Sequence, residues 1–274
     1  MAIRSETRAA YWFLSPWIIG FLVFMAGPMV ASLVLSLTDY DVLTSTQFVG
    51  ADNYSQLLAD PKVRTSLANT LIYTLLHVPL NMAVALGLAM LLARAGRRSA
   101  GFFRTVFYLP TITPKVAVGV LFLLLFNGQV GMINEVLGWV GVNGPDWTTD
   151  GPWIKPGLVL MSAWSLGSTV IIYLAALQDV PRDLYEAAEM DGASAWARFR
   201  AVTVPMISGA LFFTLIINTI SSLQTFDEVF TAFFGSTNQQ QYSNDAALFY
   251  VIYLFQQAFQ FLHMGYASAL AWLL

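Results

Sequence analysis

The sequence predicts an all-α membrane protein, a polytopic helix bundle of about six transmembrane helices in a single domain spanning residues 1–274. Three observations carry that prediction. Charged residues are 11% of the chain against 57% hydrophobic, too few to coat a soluble core, so the apolar excess must face lipid. The mean hydropathy is +0.63, and the apolar residues gather into runs near the ~20 residues that cross a bilayer as helix. Basic residues fall between these runs in an alternating pattern of sidedness.

The first run, Tyr11 to Leu37, follows Arg4 and Arg8 and is far longer than the roughly 7 to 15 residues of a signal-peptide core, so it reads as a retained anchor. Four further spans follow: Leu67 to Ala93, Thr105 to Phe126, Pro156 to Leu177 and Val204 to Leu223. Arg94, Arg97, Arg98, Arg104, Arg182, Arg198 and Arg200 share a side with Arg4 and Arg8, whereas the other side carries Lys62, Arg64 and Lys155. This asymmetry puts the N-terminus and the loops 94–104 and 178–203 in the cytoplasm. Pro16, Pro28, Pro79, Pro110 and Pro114 interrupt membrane runs, which fits either helices broken around a pathway or ordinary kinks.

Ala246 to Leu262 is apolar but interrupted by Gln256, Gln257 and Gln260, the pattern of a short amphipathic or re-entrant helix on the outer side. Gly265 to Leu274 begins a last apolar run only about half the length of a crossing. The natural chain is therefore expected to continue past Leu274 with roughly ten or more apolar residues and a cytoplasmic tail.

Several chemistries are excluded. There are 0 cysteines and a net charge of -3, which removes disulfides and thiolate chemistry and gives no footprint for nucleic acid. His77 and His263 are isolated, without the spacing of a metal site. The only lysines, Lys62, Lys115 and Lys155, follow Pro, Pro and Ile, so no phosphate-binding Gly-Lys-Ser/Thr loop is present.

Against this apolar background, five acids and three arginines crowd between Asp179 and Arg200. Asp183 and Glu186 have the spacing of a capping box, which predicts a helix beginning just after Pro181. Gly192 supplies the freedom to end that helix, and Ser194 is placed to cap a second one. Ala187 and Ala188 leave a nearly bare surface beside the carboxylates of Glu186 and Glu189. Local physics leaves a docking surface and a solvated interhelical loop equally open.

Polar stripes mark two spans. Asn218, Ser221, Ser222 and Thr225 fall at i, i+3, i+4 and i+7, and Trp164, Ser165, Ser168 and Thr169 form a comparable set with a ring suited to a sugar's C–H face. Each stripe suits helix packing or a ligand pathway. Lys115 is the one Lys, Arg, Asp or Glu well inside these spans, where a functional role and snorkelling toward water both stand open.

The segment Glu186-Ala187-Ala188, three residues, Gly192, nine residues, then Val202-x-Val204-Pro205 resembles the EAA loop of binding-protein-dependent ABC importer permeases, EAA-x3-G-x9-I-x-L-P. FVGADNY (Phe48 to Tyr54), FRTVFYLPTITP (Phe103 to Pro114), VPRDLYEAAEMDGA (Val180 to Ala193) and QAFQFLHMGYASALAWLL (Gln257 to Leu274) resemble the carbohydrate-uptake permeases of the maltose and glycerol-phosphate type. The resemblance implies a type I permease fold in the inner membrane of a bacterium or archaeon. It implies that residues 179–205, with Glu186, Ala187, Ala188, Asp191 and Gly192, dock on a separate ATPase that binds the ATP and Mg. It further implies no catalytic residue or cofactor of the chain's own, a second homologous permease, two ATPase subunits and an extracytoplasmic solute-binding protein. By the same resemblance the substrate is a sugar, carried past the two stripes; Lys115 joins that pathway if its functional reading holds.

Two rivals remain from the residues. A proton-coupled secondary transporter usually carries intramembrane acids, and the five spans as drawn contain none. A membrane-embedded glycan or lipid transferase needs an acid cluster at a membrane face, and the only cytoplasmic cluster lies in the EAA segment.

Overall fold

The computed structural model describes residues 2–43, 45–95, 97–234 and 245–274. It is all helical apart from two isolated bridges, Thr38 with Phe48 and Asp41 with His263. In chain order the helices are α1 (Ala2–Phe21), α2 (Gly27–Leu35), α3 (Asp52–Ala59), α4 (Pro61–Arg94), α5 (Arg97–Tyr108), α6 (Lys115–Leu125), α7 (Met132–Trp139) and α8 (Gly151–Ser162). They continue as α9 (Gly167–Gln178), α10 (Arg182–Met190), α11 (Ala195–Arg198), α12 (Val204–Met206), α13 (Ser208–Leu223), α14 (Asp227–Phe233), α15 (Tyr250–Phe255) and α16 (Met264–Leu273).

Among the described residues three stretches are long and apolar enough to cross a membrane: Ala9–Leu35, Pro61–Arg94 and Ser208–Phe233. Their outward surfaces are strongly apolar, Phe13 being 87% exposed, which water would not tolerate along a whole helix. The other two expected spans are not straight. Thr105 to Phe126 divides into α5 and α6, bent by 98° through a 3₁₀ turn at Leu109–Ile112, and Pro156 to Leu177 divides into α8 and α9 with a 55° bend. Proline chemistry accounts for the sharper break. Pro110 and Pro114 lack N–H donors, and Thr113, just before Pro114, is held extended with ψ 127°. The fifth span also runs ten residues farther than read, to Phe233, and so includes Asp227 and Glu228. The expectation of acid-free spans is thereby corrected.

Prolines also explain two widened turns. At Leu22–Ala26 and Phe199–Thr203 the helix opens to i→i+5 bonding, with Gly27 N–H reaching Leu22 O and Val204 N–H reaching Phe199 O. In each case a proline, Pro28 or Pro205, stands next in the chain, and the wider turn relieves the clash of its ring with the preceding turn.

The chain divides into two compact units. In the first, residues 1–64 and 252–274, α16 packs on α2 and α3. Asn53 donates to the carbonyls of Ser36 and Thr38, each at 2.9 Å, and Gly265 N–H to that of Tyr40 at 3.0 Å. Partial burial alone would raise the Asp60 carboxyl. Hydroxyls donated by Tyr253 and Tyr266, with the N–H groups of Lys62 and Val63, instead hold it below the usual carboxylate range. Gln257, expected to be merely amphipathic, is buried and pairs with His263 Nδ1 at 3.0 Å.

In the second unit, residues 65–251, α4 and α9 share a core of Ala85, Ala89, Val170, Tyr173 and Leu174, against which Phe107 of α5 and Leu211 of α13 pack. The buried Tyr173 hydroxyl is satisfied by Thr214 at 2.6 Å. α6 lies directly on α14 because Gly119 has no side chain: a Cβ there would sit 2.5 Å from the Glu228 carbonyl oxygen. Phe122 closes the same interface, stacked near Phe126 and tilted against Phe233.

Candidate functional site

These helices enclose a cavity of about 290 Å³. α4 supplies Tyr73, His77 and Asn81, one turn apart on a single face. The 3₁₀ turn and α6 supply Thr111 and Lys115, the α8–α9 bend Ser165, Ser168 and Thr169, and α13 with α14 supply Asn218, Ser221, Thr225 and Glu228. The breaks in the helices build this wall. The bend before Gly167 and the Gln224–Phe226 interruption stand beside Ser168, Thr169 and Thr225, whose hydroxyl-bearing side chains line it.

Hydrogen bonding in the cavity is incomplete. His77 stacks on Tyr73, ring centroids 5.1 Å apart, and its Nε2 lies 3.4 Å from Asn81 Nδ2. His77 Nδ1, Asn81 Oδ1, Asn218 Nδ2 and Glu228 Oε2 are buried without a hydrogen-bond partner. Each orphan costs about 1–3 kcal/mol unless something fills it. Lys115 Nζ stands 3.9 Å from Glu228 Oε2, an ion pair too long to be a hydrogen bond, with 59% of the lysine side chain exposed. The cavity thus offers one balanced charge pair, several hydroxyls and free donors and acceptors beside an aromatic stack. Such a lining suits an uncharged polyhydroxylated molecule.

The expected stripes are brought together in part. Ser165, Ser168, Thr169, Asn218, Ser221, Thr225 and Lys115 all line the cavity. Ser222 does not: it is 1% exposed and bonds Thr74 at 3.0 Å, tying α13 to α4. Trp164 also lies off the wall, half exposed on the 3₁₀ turn Ala163–Ser165, so no ring from that span faces the cavity. Sequence reading overlooked Tyr73, His77 and Asn81, although their four-residue spacing was visible, and Glu228, which lay beyond the fifth span as drawn.

The EAA segment forms a second feature. α10 begins after Pro181 with no side-chain cap, so the expected capping box is absent. The helix starts two residues early and leaves Asp183 inside the first turn, where its charge meets the helix N-terminus instead of bonding an N–H. The C-terminal end follows the expectation. Gly192 has φ +74°, its N–H bonds Glu189 O at 3.0 Å, and Ala193 N–H bonds Ala188 O at 2.9 Å. This is a Schellman closure, and the spacing from Ala188 to Gly192 is what it requires. Ser194 caps α11 through Ala197 N–H at 3.3 Å. Tyr185 bonds Thr203 at 3.0 Å, and Arg198 pairs with Glu189 at 3.0 Å, so α10 is fastened to the chain that follows it. Glu186, Ala187, Asp191 and Met190 stay exposed.

Residues 83–261 match the family profile described as binding-protein-dependent transport system inner membrane component. The chain is 40% identical to the probable ABC transporter permease protein YesP of Bacillus subtilis (strain 168), over 100% of this chain and 87% of that one. It is 35% identical to the lactose transport system permease protein LacF of Rhizobium radiobacter, over 99% and 92%. Its fold is that of a chain in the crystal structure of a bacterial alginate ABC transporter in complex with an alginate pentasaccharide-bound periplasmic protein, with TM-score 0.83, 23% identity, and 98% and 89% of the two chains covered. A polytopic helical chain carrying the EAA segment, a broken-helix cavity and these likenesses belongs to the family of binding-protein-dependent transport system inner membrane components.

Proposed function

We propose that the chain is the permease subunit of an ATP-driven importer that moves a sugar or oligosaccharide inward by alternating access. The carrying observation is the cavity in which α4 and α13 leave His77, Asn81 and Asn218 with unfilled polar atoms. Sugar hydroxyls, each both donor and acceptor, fit those atoms, and LacF, similar over nearly the whole chain, is named for lactose. Ser165, Ser168, Thr169, Ser221, Thr225 and Lys115 complete the pathway. Ser222 and Trp164 act beside it, through packing.

The subunit works in a bacterial or archaeal inner membrane with its N-terminus cytoplasmic, and α16 belongs to a sixth crossing. It pairs with a second homologous permease, receives substrate from an extracytoplasmic solute-binding protein, and docks two ATPase subunits on the cytoplasmic face. Glu186, Ala187, Ala188, Asp191 and Gly192 make the coupling contact. ATP and Mg bind on the ATPase, consistent with the absence of a phosphate-binding loop in this sequence. The test is reconstitution of the assembled complex in proteoliposomes with ATP inside the cytoplasmic compartment and a panel of labelled oligosaccharides. ATP-dependent accumulation of at least one sugar, diminished by Asn218→Leu, is expected. Accumulation driven by a proton gradient without an ATPase would overturn the reading.

A further inference from the structure

A second cavity, about 360 Å³, opens where α4 and α9 end and the EAA segment begins. Its lining has two halves. Met90, Ala93 and Leu177 come from the last apolar turns of the two helices, and Arg94, Arg198 and Tyr185 come from the polar stretch beyond them. Arg94, the final residue of α4, makes no side-chain hydrogen bond or ion pair with any described residue. Arg198 gives one guanidinium nitrogen to Glu189, leaving the rest of its five donors for another partner. Trp196, 68% exposed on α11 and stacked near Phe199, is the kind of side chain that settles at headgroup level.

We propose that this cavity binds the phosphate of an anionic phospholipid, with its acyl end along Met90, Ala93 and Leu177 and its phosphate between Arg94 and Arg198. A guanidinium fork matches phosphate oxygens two at a time, and the apolar half lies where an acyl chain continues into hydrocarbon. A free phosphate would use only the polar half. The site rests on the reading that residues 178–203 are the cytoplasmic coupling segment, and it adds a link to that reading. The lipid phosphate competes with Glu189 of α10 for Arg198, so membrane charge bears on how α10 is held.

The assembled complex, reconstituted in nanodiscs of phosphatidylcholine doped with phosphatidylglycerol, is released for native mass spectrometry, which counts retained lipid and bound ATPase in one spectrum. Wild type retains phosphatidylglycerol in preference to phosphatidylcholine. Arg94→Gln lowers that retention about fivefold, the effect of one cation near an anionic surface, and Arg94→Lys, which keeps the charge without the fork, falls between the two. Equal retention by wild type and Arg94→Gln overturns the proposal. So does displacement of the lipid by inorganic phosphate, which makes the ligand a soluble anion, or its loss whenever the ATPase is bound, which makes the cavity part of the ATPase seat. Absence of an ATPase peak breaks the coupling reading instead, while the lipid count on the permease alone still decides the headgroup site.

Discussion

The EAA segment and the cavity are built in opposite ways. The segment is local: one helix, one Schellman closure and one cap between Arg182 and Arg198, whose closure and cap bonds span five residues or fewer and whose two longer links, Glu189 to Arg198 and Tyr185 to Thr203, reach no farther than 18 residues along the chain. The cavity is assembled from α4, α6, α9, α13 and α14, whose members stand as far apart in sequence as Tyr73 and Glu228. A local device keeps its shape when the helices around it shift, as the transmitter of force proposed above must. An assembled cavity changes whenever its walls move, and alternating access asks that of a pathway.

The largest effects should come from the local device. Glu186→Lys reverses an exposed charge on α10, and we expect ATP-driven uptake to be lost and the ATPase to dissociate more readily in detergent, with membrane insertion intact. Gly192→Val puts a β-branched residue at φ +74°, costing at least about 1–2 kcal/mol of backbone strain, and should abolish coupling as well. A Cβ at Gly192 meets nothing within 4 Å, so the strain is conformational and Gly192→Asn should restore much of the uptake. Pull-down from solubilised membranes beside transport assays decides. Retention of both the ATPase and normal uptake by Glu186→Lys would reduce the segment to an ordinary loop.

Next come changes to the walls. Gly119→Val drives a side chain into the Glu228 carbonyl and should destabilise the subunit by about 1–3 kcal/mol, read as a lower unfolding temperature. Ser222→Leu should do likewise, because it overfills a buried contact and strips Thr74 of its partner. Asn218→Leu is different. Its amide nitrogen is already unpaired, so stability should hold while sugar transport weakens by up to about tenfold, one hydrogen bond's worth. If Asn218→Leu and Ser222→Leu behaved alike, both would be packing residues.

The contrast also explains what could be read from the chain. Gly192 and Ser194 were legible because their roles are fixed by a few neighbours. Asp183 misled for the same reason: its spacing to Glu186 allowed a capping box, but Pro181 started the helix earlier and removed the cap position. Five apolar runs marked three straight spans and two bent helix pairs, and the prolines marked a break without giving the 98° angle, which depends on what α5 and α6 pack against. Asn218 and Ser222 lie four residues apart on one helix and look equivalent in sequence. Only the position of Thr74, on another helix, sends one into the wall and the other into a contact. Glu228 was hidden because hydropathy ended the fifth span at Leu223, whereas Gly119 on α6 gives α14 a surface to lie on.

The smallest expected effect tests whether the segment is as self-contained as its bonds suggest. Ser194→Ala removes the side-chain acceptor of the Ala197 N–H and should cost about 0.5–2 kcal/mol, confined to α11 and the turn behind Gly192. Hydrogen exchange should quicken at Ala197 and its neighbours while amides of the α4–α9 core stay protected, because that core draws its stability from Ala85, Ala89, Val170 and Tyr173. Uptake should fall modestly and ATPase association should persist, since α10 keeps its Schellman closure and its links through Tyr185 and Arg198. Faster exchange spreading into α4 and α9 would mean that the segment and the cavity walls unfold as one unit, and the division between local transmitter and assembled pathway would fail.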